Sequence, residues 1–172
     1  EQNEIIEVGV CLLDPMTGER SRGQSILVRP RRSSVSPFCT ELTTLTQELV
    51  DGGLEFGAAC ELLREQYQSP QRTWASYGAY DRKQFRSQCA AFEVEYPFSE
   101  AHINVKARFA AADALPRPVG MAGALKRLGL PLEGTHHRGG DDAWNIAAIL
   151  RYLLVDRQLT VQELVHASSE TA

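Results

Sequence analysis

Glu133-Gly134-Thr135-His136-His137-Arg138-Gly139-Gly140-Asp141-Asp142-Ala143-Trp144-Asn145-Ile146-Ala147 is the stretch on which the fold turns. Its glycines mark the first half as a loop. Beyond Asp142, the residues Ile146, Ile149, Leu150 and Leu153 recur at helical spacing. A long helix should therefore open at Asp141 or Asp142 and run to residue 154. Asp142 heads the apolar stripe, so its carboxylate is expected to face the protein body. A buried bare carboxylate is costly unless neutralised, and a divalent cation is one answer. Helix capping, with the carboxylate accepting free backbone N–H groups, is the other. His137 sits one glycine-containing loop earlier, where its imidazole can reach the helix start. Histidine suits general-base work because imidazole titrates near neutrality. Zinc is not expected at His136 and His137, because adjacent side chains should diverge and no third ligand adjoins them.

Upstream, Asp81 is followed by Phe85, Cys89 and Phe92 on one helical face, so a second acid heads a second apolar stripe. The chain opens with an apolar, β-branched run over residues 5–13. A turn at residues 14–18 and a returning strand over 24–29 complete a hairpin. Pro30 and Pro37 bracket a loop. Thr46 can cap a short helix that Gly52 and Gly53 stop. Helices are expected over 56–67, from Asp81 towards 91, from an Asn104 cap through 112, over 121–128 and after Thr160. A strand is expected over 73–77. Strands first and helices later indicate an α/β domain spanning residues 1–172.

The 172 residues suffice for one domain with a real core. They carry a formal net charge of −4 and a pI near 5.6. A protein that grips long duplexes by charge alone is basic, so a broad electrostatic binder is disfavoured. An enzyme holding a few nucleotides at a strand end is not. Arg29, Arg31 and Arg32 form the one dense basic patch, most simply a solvated loop. Cys11, Cys39, Cys60 and Cys89 are scattered without a CxxC pair, and Cys11, Cys60 and Cys89 read as small core residues. No apolar run reaches membrane-spanning length and no leader opens the chain, so no membrane partner is expected and the cytoplasm is the default location.

Two strings resemble those of a known family. Tyr77-Gly78-Ala79-Tyr80-Asp81-Arg82-Lys83-Gln84-Phe85 resembles the second motif of DEDDh-type 3′→5′ exonucleases, and the stretch around His137 resembles the third. Glu4-Ile5-Ile6-Glu7-Val8-Gly9 resembles the second strand of that fold. Residues 38–46 resemble its loop at the 3′ nucleotide, and 121–132 the helix before the histidine. The likeness runs from about residue 4 to 154 and is closest to the branch trimming histone-mRNA and small-RNA ends.

The resemblance implies an RNase H-like mixed sheet flanked by helices. It implies two ions of Mg2+ (or Mn2+), with Asp81 and Asp142 as the third and fourth acidic ligands and His137 as the base. Leu42 and Thr43 would pack on the terminal nucleotide of single-stranded RNA or DNA, RNA favoured, and Tyr80 would stack on a base. The family's first motif, Asp-x-Glu on the first strand, lies before the residues matched here. Glu1, Glu4 and Glu7 belong to the next strand or its approach and are not expected to replace it. A longer natural chain is expected. The alternative is a catalytically incomplete nucleic-acid-binding or interaction domain on the same scaffold.

Overall fold

The computed structural model describes residues 3–166, so Glu1 lies outside the described residues. β1 (Glu7–Leu13) and β2 (Arg20–Leu27) form an antiparallel hairpin, with a register shift between Val10 and Leu12. Asp14 makes the turn: its carboxylate accepts the Met16 and Thr17 N–H groups at 2.8 and 3.0 Å. α1 (Pro37–Thr43), α2 (Gln47–Asp51) and α3 (Phe56–Tyr67) follow, then a 3-10 turn at Ser69–Gln71. β3 (Trp74–Ser76), α4 (Tyr80–Phe92) and β4 (His102–Asn104) come next, with β3 and β4 pairing in parallel. α5 (Val105–Ala112), α6 (Met121–Leu128), α7 (Gly139–Arg151), a π-helical turn at Tyr152–Asp156 and α8 (Val161–His166) complete the order. The expected α/β class is what forms, its strands lying in two pairs among the described residues. No helix among them is long and apolar enough to cross a membrane.

Strand alternation sorts the side chains of β1. Val8, Val10 and Leu12 pack with Phe56, Cys60, Leu63, Phe85 and Cys89 of α3 and α4. Gly9, Cys11 and Leu13 turn the other way, towards α7 and the second core of α5, α6, α7 and β4. Cys60 and Cys89 are buried, Cys11 is half-buried, and all four thiols are free.

Two local expectations change, and one strand appears where none was expected. The loop after Pro37 is helical, because Ser36 Oγ accepts the Cys39 N–H at 3.1 Å and Pro37 occupies the first turn. β4 has only three residues, too few for alternation to declare itself. Neither acid opens its helix: the N-caps are Ala79 for α4 and Arg138 for α7. Arg29 pairs with Glu55, while Arg31 and Arg32 lie over the Phe92 ring at 5.3 and 4.6 Å.

α7 reaches β1 only because two glycines meet. A Cβ on Gly9 would overlap the Gly139 carbonyl, and one on Gly139 would strike the Gly9 backbone. We expect Gly9→Ala to cost at least about 3 kcal/mol, because backbone on backbone cannot relax as a side chain would. Urea unfolding measures this, and an unchanged midpoint would contradict the packing.

His102, 4 % exposed, is the β4 partner of Trp74 in β3, and its ring lies 4.3 Å from the Trp74 ring. Ser76 Oγ donates to the Gly78 carbonyl at 2.9 Å, so His102 Nε2 donates to Ser76 Oγ at 2.8 Å. Burial, then the Arg82 charge, lowers the imidazole pKa from 6.5 to about 4. Between those values the unfolded chain binds the extra proton. The stability this group contributes is therefore complete above the unfolded pKa and is lost as pH falls towards the folded one. From pH 7 to 4.5, wild type should lose roughly 2–3 kcal/mol more than His102→Gln in urea unfolding.

Candidate active site

One cleft of about 230 Å³ lies between the start of β1, the first turn of α4 and the start of α7. Asp81, Asp142, His137, Tyr80 and Thr43 line it, with Glu4, Glu7, Leu45, Gln84 and Gly139. Leu42 stands outside that lining and is 42 % exposed.

Asp81 is the second residue of α4 and is open to the cleft rather than packed against the body. The protein walls around it still raise its carboxyl above the usual range, and the charge of Asp142 raises it further. The two acids therefore converge closely enough to feel one another. Two carboxylates facing one recess fit a divalent cation, which would supply the positive charge that this pair lacks.

Asp142 is the fourth residue of α7, half-buried, with its Oδ1 in contact with two groups. His137 donates its backbone N–H at 3.2 Å, and His136 Nδ1 lies 3.0 Å away. The expected divergence of the two histidines does not occur. His137 takes a left-handed backbone, φ 68°, which turns its ring onto that of His136 with centroids 3.8 Å apart. Asp142 is the third group that the sequence appeared to lack.

The loop is held to α7 from inside. Asn145, 1 % exposed, donates to the Glu133 and Asp141 carbonyls at 2.8 Å each and accepts the Glu133 N–H at 2.9 Å. Asp141 accepts the Thr135 N–H at 2.8 Å. Gly134, at φ 73°, passes where any Cβ would overlap the Asp141 carboxylate.

Glu7 fastens the other side. Its carboxylate is 5 % exposed and accepts the Gly139 N–H at 2.6 Å and Arg138 Nη2 at 3.0 Å. Arg138 also reaches Thr44 Oγ1 at 3.4 Å, tying the end of α1 to the start of α7. Glu4 spans the Arg31, Arg32 and Ser33 N–H groups at 2.9, 2.8 and 2.6 Å. Both glutamates are thus committed to holding backbone.

On α1 the Thr43 hydroxyl donates to the Cys39 carbonyl at 2.8 Å. Tyr80, first in α4, is 64 % exposed. Phe38, 72 % exposed and one turn before Leu42, was missed from the sequence, though the i, i+4 pair of large apolar residues was there to read. Arg138 and Asn145 were missed as well, and His136 was weighed only as half of a zinc pair and set aside. Asn145 alone had a signal, four residues after Asp141 on the same helical face.

A family model described as Exonuclease matches residues 1–150. Human 3'-5' exoribonuclease 1 is 31% identical over 176 residues, which cover 96% of this chain and 50% of the human protein. The 3'-5' exonuclease Snipper of Drosophila melanogaster is 26% identical over 91% of this chain and 63% of its own. Among solved structures, the nuclease domain of 3'hExo, a DEDDh family member bound to rAMP, superposes with a TM-score of 0.81 at 29% identity. It covers 89% of this chain and 82% of that one. The chain spans about half the length of the mammalian 3'-5' exoribonuclease 1 proteins it matches.

Replacing Asn145 with Ala leaves the Glu133 N–H and carbonyl unpaired. We expect a loss of about 1–3 kcal/mol and faster hydrogen exchange at the Glu133 and Thr135 amides. Unchanged exchange at both amides would refute the fastening role.

Proposed function

The chain belongs to the exonuclease family, in its DEDDh 3′→5′ group, and on that premise we propose that it removes nucleotides from the 3′ end of single-stranded nucleic acid, RNA in preference to DNA. The observation that carries the reading is the convergence of Asp81 and Asp142, two acids 61 residues apart, on one cleft with His137. The preference for RNA is supported by relatives such as human 3'-5' exoribonuclease 1, and by a similar 3′-exonuclease whose structure concerns 3′-end recognition of a histone mRNA stem-loop.

The family works with divalent metal ions, and magnesium or manganese suits an oxygen-rich pair such as Asp81 and Asp142. When bound, such ions supply Lewis acidity at the phosphate and make hydroxide available near neutral pH. Asp81 and Asp142 would hold them. His137, exposed at the cleft with its loop fixed from both sides, would take the proton of the attacking water. Thr43 lines the cleft and Leu42 lies beside it on the same helix, so α1 would seat the terminal nucleotide. Tyr80, with most of its ring exposed, would stack on a base. Phe38, likewise exposed on α1, adds a second aromatic face.

The test is mononucleotide release from labelled single strands, RNA and DNA in parallel, by the full natural chain with Mg2+. Wild type should trim from the 3′ end. His137→Ala, Asp81→Asn and Asp142→Asn should each lower kcat/KM by at least about 100-fold. Equal rates for wild type and His137→Ala would remove the base from the mechanism. No release by wild type would remove the activity.

A further inference from the structure

His136 has no part in the reading above, yet it contributes to the tightest cluster of metal-binding groups among the described residues. The ligand atoms of His136, His137 and Asp142 all lie within 4.8 Å of one another. The two rings are nearly parallel, 18° apart, and His136 Nδ1 lies 3.0 Å from Asp142 Oδ1.

We propose that His136, His137 and Asp142 form a binding site for a single transition-metal ion of the zinc class. Two imidazole nitrogens and one carboxylate oxygen are a zinc donor set that leaves a coordination position open for water. A shared ion would sit about 2.0–2.2 Å from each donor, so the donors must close by roughly an ångström. His136 and Asp142 are half-buried and His137 is exposed, which leaves their side chains room to rotate. The loop itself need not reorganise. Asn145 and Asp141 already hold it to α7, and the φ of 68° at His137 already turns both rings to one side. An ion entering this cluster therefore meets little of the backbone ordering cost that weakens sites on loose loops, and the cost that remains is to unstack the two rings and turn their in-plane nitrogens onto it.

The donor set also separates this ion from the one suited to catalysis. Magnesium seeks an octahedron of oxygens and gains little from imidazole. Zinc, nickel and cobalt bind nitrogen–oxygen sites more tightly than manganese does. The cluster shares His137 and Asp142 with the proposed exonuclease centre. A zinc-class ion would thus take the base and one acid out of service together. That inhibitory consequence rests on the exonuclease reading, whereas the binding itself does not.

The measurement is titration of Zn2+ and Co2+ into the full chain, stripped of metal and free of nucleic acid, by calorimetry and by the visible absorption of Co2+. An ion held by nitrogen as well as oxygen should appear, its cobalt bands distinct from those of any ion that Asp81 and Asp142 hold through oxygen alone. His136→Asn and His137→Asn should each weaken binding at least about tenfold. In wild type, zinc should also shift the ring-nitrogen resonances of both histidines, a reading that needs no variant. Failure of wild type to bind, affinity unchanged in either variant, or unshifted ring resonances would overturn the site. Because no substrate is present, the result stands or falls separately from the trimming assay.

Discussion

The cleft depends on a place where two backbones touch and neither has a side chain, Gly9 in β1 and Gly139 at the start of α7. That contact lets a 13-residue helix lie directly on the hairpin. It brings the free N–H of Gly139 within reach of Glu7, whose carboxylate is nearly sealed from water. A sealed anion is tolerable only when fully partnered. Here its partners are a helix N-terminus, favourable to negative charge, and the Arg138 guanidinium. Arg138 then extends the same linkage to Thr44. The helix bearing Asp142, the strand bearing Glu7 and the end of α1 are thereby set against one another before any substrate arrives.

Much of this was legible in the residues. Thr46 and Asn104 cap α2 and α5 as expected, because a side-chain oxygen before a helix accepts a backbone N–H whatever surrounds it. α3 and α6 appear with the bounds their periodicity predicts, and Gly129 ends α6 in the left-handed conformation. Asp81, Asp142 and His137 were named from helix position and from family likeness. What stayed hidden was set by contacts across long stretches of chain. No local pattern announces that Glu7 meets Arg138, or that Glu4 spans three N–H groups of the Arg31 loop. The histidine pair was misjudged for a related reason. Adjacent side chains diverge when the backbone is extended or helical, and a left-handed residue breaks that rule without a glycine to signal it.

The charge balance is consistent with this picture. A chain of net charge −4 has little general attraction for a polyanion. Several of its arginines are further occupied, Arg20 with Glu133, Arg29 with Glu55 and Arg86 with Glu100. Recognition on such a surface falls to a recess, exposed rings and whatever positive charge the two acids can gather. Such a surface suits the proposed handling of strand ends better than a grip on lengths of duplex.

The seat of the histidine loop lies more than 130 residues from the loop itself, since Glu7 grips Gly139. A nascent chain emerging from the ribosome carries the seat early and the loop late. Until residue 139 is clear of the exit tunnel, Gly139 cannot close on Glu7, and Asp81, His137 and Asp142 cannot meet. Closing so long a stretch is entropically slow. The Glu7–Gly139 contact is therefore a late one, and the cleft is assembled only after most of the chain has been made.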